Sequence, residues 1–274
     1  MTWVTIMVRN PLAVIGAAIV VLAFLLAVVG PSILPYDPVA PDVSIRLRPP
    51  SAEHLFGTDR VGRDILARVI EGLRVTLSVA TGAVAIALLV GTPIGAIAGY
   101  YGRGVDAVLM RLIDALMAFP SRLLAIALVA TMGASVMSLW WAIAVTAVPR
   151  YARIMRGGVL AQREREYVQA ARVSGERDLA ILFREILPNA SAPILIQLSI
   201  DFAHAVLIES SLSFLGLGLA PPTISWGQML NEAKTYMEFA PWTAIFPGAA
   251  ISLLILGFNL FGDGLRDAFD PRNA

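Results

Sequence analysis

Four long stretches of this sequence contain no Asp, Glu, Lys, Arg or His, and they constrain the fold more than any other feature. They cover residues 10–36, 75–102, 123–149 and 239–262. Because a helix needs roughly 20 mostly apolar residues to cross a bilayer, each stretch is long enough to do so. A spanning β-barrel would instead show short segments of alternating hydrophobicity. The sequence therefore predicts an all-α polytopic membrane protein.

Composition narrows the remaining classes. Charged residues make up 15% of the 274 residues, against about 25% in soluble proteins. The chain has no cysteine, which excludes disulfides and thiolate metal sites. Its two histidines, His54 and His204, lie in different regions, so no metal site is predicted. Residues 1–29 resemble a signal peptide in polarity. Their apolar part is longer than the usual ~7–15 residues and lacks an A-x-A site, which favours a retained first span.

Six spans are predicted, at about 11–29, 76–100, 106–133, 136–157, 189–215 and 242–262. The third and fifth differ from the others because they carry ionisable residues: Asp106, Arg111, Asp114, Arg122, Asp201, His204 and Glu209. Within the third span, Asp114 and Arg111 suit a structural ion pair. Phe119-Pro120 interrupts the same span. Proline removes a backbone donor and clashes one turn back, so a kink or break is expected there.

The basic residues, with Arg122 left out because it lies within a span, favour an orientation with both termini in the cytoplasm. In that orientation thirteen arginines lie inside, against six arginines and one lysine outside. The predicted organisation is an N-terminal span over 1–30, an extracytoplasmic loop with an amphipathic segment over 31–74, a core of five spans over 75–262 and a cytoplasmic tail over 263–274. The core includes a cytoplasmic loop at 158–188, between spans four and five.

Span two contains a stripe of small residues. Gly91, Gly95 and Gly99 are four residues apart, so they lie along one helix face, where another helix can approach closely. The partner is either a helix of this chain or a second membrane subunit.

The loop between spans four and five is charged and helix-forming. "EREYVQAARVSG" (164–175) ends in Gly175 after a basic last turn, which is typical of a helix C-terminus. "ERDLAILFREI" (176–186) then begins with acids, which are favourable at a helix N-terminus. Its apolar residues are expected to hold the second helix against the protein: Leu179, Ile181, Leu182 and Phe183. The predicted helix–turn–helix is either a solvated loop or, because Ala170 and Ala171 are small, a docking element for another protein.

The spacing of Ala170-Ala171, Gly175 and Leu187-Pro188 resembles the E-A-A-x-x-x-G-…-L-P loop of ABC importer membrane subunits. Further blocks resemble the C-type permeases of the dipeptide/oligopeptide/nickel family of ABC importers. They include "HLFGTDRVGRDILARVIEGLRVTL" (54–77), "REREYVQAAR" (163–172), "ESSLSFLGLGLAPPTISWGQML" (209–230) and "NLFGDGLRDAFDPR" (259–272). This chain departs from the motif at Gln169, where the family has Glu, and thereby loses a charge.

The resemblance implies a type I ABC importer permease without catalytic residues or a cofactor of its own. It implies a homologous second permease, two ATP-binding subunits that bind ATP and Mg, and an extracytoplasmic solute-binding protein, in the cytoplasmic membrane of a bacterium or archaeon. No nucleic-acid partner is implied. The ATPase-coupling residues carried over from the motif are Glu166, Gln169, Ala170, Ala171, Gly175, Leu187 and Pro188.

Two further groups are candidate functional residues. The segment 51–74 is expected either to form a platform at the outer mouth or to be an amphipathic helix on the lipid surface. Its outer-mouth candidates are Gly57, Thr58, Asp59, Gly62, Arg63 and Asp64. Ionisable groups inside spans are costly and often functional. Asp201, His204 and Ser211 share one helix face and Glu209 lies to the side, so all four are candidates for the translocation path. The alternative is a buried structural pair, or an Asp201 close enough to the interface to be hydrated.

Two other functional classes remain as alternatives. An ion-gradient-driven secondary transporter would use Asp201 and Glu209 as a proton relay, but the chain lacks an internal inverted repeat and the charged insert would be unexplained. A membrane enzyme is disfavoured because the sequence has no zinc-binding H-E-x-x-H and no nucleophile elbow. The substrate is expected to be a peptide, a nickel chelate or a related small solute.

Overall fold

The computed structural model describes residues 7–8 and 10–269. Residues 1–6 of the predicted N-terminal span, Arg9, and residues 270–274 of the predicted tail, Arg272 among them, lie outside the described residues.

The described chain is built of helices joined by short loops. In chain order they are α1 (Pro11–Ile33), a 3-10 turn (Val43–Ile45), α2 (Ile65–Tyr101), α3 (Arg103–Met117), α4 (Ser121–Met132), α5 (Val136–Gln162), α6 (Glu166–Val173), α7, α8 (Ala192–Phe214), α9 (Trp226–Ala233) and α10 (Trp242–Phe269). The helix α7 is a continuous rod made of Asp178–Ala180, a π-helical segment Ile181–Ile186, and Leu187–Ala190.

Among the described helices, α1, α2, α8 and α10 are each long and apolar enough to cross a membrane. The pair α3–α4 gives a fifth candidate span if it is read as one helix bent by 86°. The predicted break at Phe119-Pro120 is thereby confirmed, with Pro120 as the residue that precedes α4. Helix α5 has 27 residues, but Arg150, Arg153 and Arg156 make its second half more polar.

Helix α2 begins eleven residues before the predicted second span. Asp64 caps it by accepting a hydrogen bond from the Ala67 amide at 2.7 Å, which satisfies a donor that the helix leaves free. Residues 51–64 form an irregular loop, with one antiparallel bridge between Thr58 and Asp64. The segment 51–74 is therefore not a separate amphipathic helix on the lipid surface.

The glycine stripe of α2 packs within this chain. A Cβ at Gly91 would lie 2.6 Å from the Val148 carbonyl oxygen, and one at Gly99 would lie 2.9 Å from the Arg156 carbonyl oxygen. A Cβ at Gly95 would overlap the Ala152 carbonyl. The partner of the stripe is therefore α5, and α2–α5 is the most extensive helix pair in the described fold.

Candidate functional site

The charged insert between α5 and α8 is a helix–turn–helix, as predicted. Helix α6 ends in a Schellman motif: the Gly175 amide bonds the Arg172 carbonyl at 3.0 Å and the Glu176 amide bonds the Ala171 carbonyl at 3.1 Å. Gly175 has a φ of 80°, in the left-handed region that favours glycine. The prediction that Gly175 ends the helix is confirmed.

The helix–turn–helix (166–190) is fastened to the protein by an apolar face. Val168 on α6 and Ile181, Leu182 and Ile186 on α7 are buried in one cluster with residues of α2 and α5. Leu179 and Phe183 are 61% and 63% exposed, so the prediction that they help to hold α7 in place is wrong. In a rod with one buried stripe these two residues fall on the opposite side.

Polar contacts tie this element to the end of α2. The Tyr100 hydroxyl donates to Asp178 at 2.7 Å, and the Arg172 guanidinium lies 5.5 Å from the centre of the Tyr100 ring. Arg163, which lies between α5 and this element, donates to the Gly99 carbonyl at 3.0 Å. A displacement of α6 would therefore be passed to α2 as well as to α5.

The side of α6 that faces away from the protein combines small or apolar residues with the polar Glu166 and Gln169. Val173 is 90% exposed, and Ala170 and Gly175 are exposed beside it. Gln169 is exposed too and reaches back to the Glu164 carbonyl at 3.4 Å. Of the other motif residues, Glu166 and Pro188 are exposed, while Ala171 and Leu187 pack partly against the buried cluster.

At the opposite end of α2, the predicted outer-mouth residues form an ion-pair network. Asp59 binds the Arg63 guanidinium at 2.6 Å and also binds Arg68. Glu232, on α9, accepts from Arg63 at 2.9 Å and from Arg68 at 3.2 Å. Arg68 is only 1% exposed. Two enclosed cations are thus balanced by two carboxylates, and the network joins the outer loop to α9.

The other outer-mouth candidates are also engaged inside the chain. The Thr58 hydroxyl donates to the Ile45 carbonyl and accepts from the Arg48 amide at 2.9 Å. Asp64 contacts His54 at 2.9 Å besides capping α2. Gly57 and Gly62 have φ values of 75° and 83°, which glycine adopts without strain. Residues 57–64 therefore form an outer block whose polar groups are mostly bonded within the chain. The exposed residues of this block, such as Arg60, are accessible to a partner.

Asp59 makes the stability of the outer block dependent on pH. Burial raises the pKa of Asp59, but Arg68, Arg63 and backbone donors outweigh burial, and the pKa lies below the ordinary value of 3.8. A carboxyl whose pKa is lower in the folded chain stabilises the fold fully above its unfolded pKa. That stabilisation is lost as pH falls through the folded pKa.

Asp59→Asn is therefore expected to lower the free energy of unfolding at neutral pH by about 1 kcal/mol. The melting temperature should fall accordingly. The variant should also lose less stability than the wild type as the pH falls below about 4. Thermal unfolding of the purified chain in detergent across this range measures both effects. Glu53→Gln, at an exposed position of the same loop, is the control. An identical acid dependence in Asp59→Asn and wild type would contradict the assignment.

The polar residues predicted on α8 do not share one exposed face. His204 is exposed and Ser211 is half-buried, whereas Asp201 is 2% exposed and Glu209 has no exposed surface. The open stripe of α8 is centred on His204, Leu207 and Ser211. Asp201 lies at the border of this stripe, where α5 covers it.

The two enclosed carboxyls have partners within the chain. Asp201 accepts from the Arg150 guanidinium of α5 at 2.5 and 2.9 Å. Glu209 accepts from Ser213 at 2.8 Å, and Thr76 and Ser210 lie 3.4 Å from its carboxyl. Of the three possibilities weighed from the sequence for Asp201, its burial and its bonds to Arg150 match the buried structural pair.

Further ion pairs join α5 to α3. Arg153 binds Asp114 at 2.6 Å, and Arg156 binds Asp106 through two bonds of 2.5 and 2.6 Å. The prediction that Asp114 pairs with Arg111 is wrong. Residues three apart on α3 do lie on one side, but α5 presents an arginine directly to Asp114.

Sequence reasoning predicted no partner for five residues of these networks: Arg68, Arg150, Arg153, Arg156 and Glu232. The predicted span 136–157 contains Arg150, but the residue is counted with the cytoplasmic arginines and no partner is predicted for it. Arg68 and Glu232 are 164 residues apart, and no local pattern links them. The one sequence signal for this network was Arg68 itself, an arginine within the otherwise apolar first turn of α2. Among the described residues, no three His, Asp or Glu side chains come together to hold a metal ion.

Two family descriptions match the sequence. Residues 91–274 match "Binding-protein-dependent transport system inner membrane component". Residues 4–50 match "N-terminal TM domain of oligopeptide transport permease C". The two matches cover most of the chain.

Named relatives and a solved structure agree with these matches. A dipeptide transport system permease protein DppC of Alkalihalophilus pseudofirmus is 45% identical over 96% of this chain and 87% of its own length. A glutathione transport system permease protein GsiD of Pectobacterium atrosepticum is 42% identical over 96% of this chain and 88% of its own length. The fold is similar to a chain of the inward-facing MetNI methionine ABC transporter, with a TM-score of 0.63 over 75% of this chain and 98% of that one, at 14% identity.

Proposed function

Because this chain belongs to the family of binding-protein-dependent transport system inner membrane components, we propose that it forms half of the translocation path of an ATP-driven peptide importer. It is a permease subunit, and ATP hydrolysis takes place on separate ATPase subunits. The other half of the path is a homologous second permease. An extracytoplasmic binding protein delivers the solute to the outer loops.

The observation that carries the proposal is the way in which the helix–turn–helix (166–190) packs against the rest of the chain. An element held by four buried side chains on one face presents Ala170, Val173 and Gly175 on the other. Small and apolar groups at an exposed tip suit insertion into a groove. We assign this element as the coupling segment that docks on an ATPase subunit. ATP and Mg bind to that partner and not to this chain.

The substrate class follows from the relatives. They include permeases named for dipeptides, D,D-dipeptides and glutathione, and glutathione is itself a small peptide. We therefore propose a peptide of a few residues as the cargo.

The proposed topology has six spans, with α3–α4 counted as one broken span and α5 as another. Both termini lie in the cytoplasm, because this orientation places the arginine-rich coupling segment inside. The membrane is the cytoplasmic membrane of a bacterium or archaeon. His204 and Ser211, on the open stripe of α8, are the proposed path-lining residues of that helix. The outer block around Asp59 supports the binding-protein platform.

Reconstituted transport tests the function. The chain is placed in liposomes with the second permease, the ATPase subunits and the binding protein of the same organism, and uptake of a dipeptide pool is followed by mass spectrometry. Uptake should require both internal ATP and the binding protein. Uptake driven by a proton or sodium gradient without ATP would instead favour the secondary transporter, in which Glu209 and Asp201 would relay the ion.

A further inference from the structure

A cavity of about 270 Å³ lies where the third span breaks, between α3, α4 and α5. Its walls are mostly apolar, with Met117, Phe119 and Leu124 among them. Three polar residues line the same space: Ser121, Thr146 and Arg150. An apolar pocket with a few convergent polar groups is the usual form of a small-molecule site.

Arg150 is the only charged side chain lining this cavity in the part of the chain that the structure describes. Its side chain is 32% exposed, while that of its partner Asp201 is 1% exposed. The ion pair is therefore open on the side of the cation and closed on the side of the carboxylate. Asp201 holds the guanidinium in place from behind, which leaves its front directed toward the cavity.

The bonding of the guanidinium leaves one edge free. Nε and Nη2 both donate to one oxygen of Asp201, and Nη1 is only weakly engaged, at 3.5 Å from the Thr146 carbonyl. An arginine has five N–H donors in a planar fork. The Nη1–Nη2 edge, which is adjacent to the edge used by Asp201 and shares Nη2 with it, keeps two N–H donors with the geometry that binds a carboxylate through both oxygens.

The break adds a second source of positive potential. Helix α4 starts at Ser121 without a side-chain cap, so its first amide groups have no partner within the helix. Broken helices in transporters direct such ends at anionic groups of the cargo. Here the N-terminus of α4 adds to the positive potential of the Arg150 guanidinium, which is the group that defines the site.

We propose that Arg150 and this cavity form a binding subsite for the carboxylate of the transported solute, which a peptide supplies at its C-terminus. Asp201 is a positioning residue in this site. It also balances the charge of Arg150, so an entering carboxylate gains directed hydrogen bonds but little net attraction. Weak binding suits a path, since a cargo held tightly within a pore would not leave it. The identity of the carboxylate as cargo rests on the proposed peptide function.

Thiol labelling in the assembled transporter tests the site without any transport. The natural chain has no cysteine, so Ser121→Cys places a single thiol in the cavity, and the mass of the chain reports its modification. The probes are the anionic reagent sulfonatoethyl methanethiosulfonate and the cationic trimethylammonioethyl analogue. Arg150→Gln with Asp201→Asn leaves the net charge unchanged, so the anionic-to-cationic rate ratio should fall only about twofold, because the guanidinium faces the cavity and the carboxylate is enclosed behind it. The matched control is Arg153→Gln with Asp114→Asn, a pair three residues further along α5, and it should leave the ratio unchanged.

Protection by dialanine then tests the ligand. Free dialanine should slow labelling of the introduced thiol by the anionic reagent, and dialanine amide, which lacks the carboxylate, should not. This difference should vanish in the paired Arg150/Asp201 variant and in Arg150→Lys. Lysine keeps the positive charge but lacks the planar pair of N–H donors of the guanidinium. Arg150→Lys therefore tests the carboxylate site even if the paired variant does not assemble.

Three outcomes overturn the subsite: equal protection by acid and amide, a difference that survives in Arg150→Lys, or an equal effect of the Arg153/Asp114 control. Failure of the proposed function is a separate result. If acid-selective protection is seen but liposomes show no ATP-driven peptide uptake, the peptide-importer function is wrong and the carboxylate site remains. If uptake is seen without selective protection, only the subsite is wrong.

Discussion

Val173→Asp is expected to abolish ATP-driven uptake while leaving the permease folded. Val173 is 90% exposed at the tip of α6, so the substitution breaks no packing within the chain. If the tip enters a groove of the ATPase subunit, a charge there is buried without a partner. Such changes at the centre of an interface cost about 2–4 kcal/mol, or roughly 30- to 1,000-fold in affinity. The amount of ATPase retained on the purified complex in detergent measures this loss directly.

The control is Val43→Asp, at a valine that is 67% exposed in the outer 3-10 turn. It makes the same chemical change at the other end of α2 and should retain the ATPase fully. Equal retention in Val173→Asp and Val43→Asp would show that the tip does not dock, and the coupling assignment would then be wrong.

Val173 is a cleaner probe than the residues that define the sequence motif. Ala171 packs partly against the buried cluster, so a charge there would also disturb the mounting of α6. Gly175 has a φ of 80°, and any side chain at that position strains the Schellman turn. Loss of ATPase in those variants would mix docking with local unfolding. The motif locates the coupling segment in the sequence. Solvent exposure identifies Val173 as a residue at which docking can be tested without disturbing the fold of the segment.

The sequence predicts best what depends on neighbours along the chain. Long apolar runs predict the helices α1, α2 and α10. Pro120 predicts the break between α3 and α4, and Gly175 predicts the end of α6. Each of these signals acts within one or two helical turns, where backbone geometry and hydrogen bonding alone decide the outcome.

Pairings between distant helices were not predictable in the same way. Arg150 and Asp201 are 51 residues apart, and their contact depends on how α5 crosses α8. A helical wheel places Asp201 and His204 together, because they are only about 60° apart around the helix. The neighbouring helix α5 covers one and leaves the other open. The role of a polar residue in a span therefore depends on packing that its own helix does not encode.

Gly95→Val is expected to lower the melting temperature of the purified chain, because the contact between α2 and α5 at this point is made by backbone atoms. A Cβ at Gly95 would overlap the carbonyl of Ala152 and lie 2.9 Å from the Arg156 amide nitrogen. Neither group can move without displacing α5, which carries Arg150 and leads into the coupling segment. Overpacking of this kind typically costs about 1–3 kcal/mol, and adding the two Val methyl groups at a backbone contact places the variant at the upper end.

Gly157→Val on α5 provides the matched control, because a Cβ at Gly157 would meet no atom within 4 Å. Valine has a slightly better helix propensity than glycine, so this variant should change unfolding free energy by less than about 1 kcal/mol and in the stabilising direction. The two melting temperatures, measured on the purified chain in detergent, should therefore move in opposite directions. If Gly95→Val were no less stable than Gly157→Val, α2 and α5 would not meet through their backbones, and the rigid link from the outer block to the coupling segment would be lost with that contact.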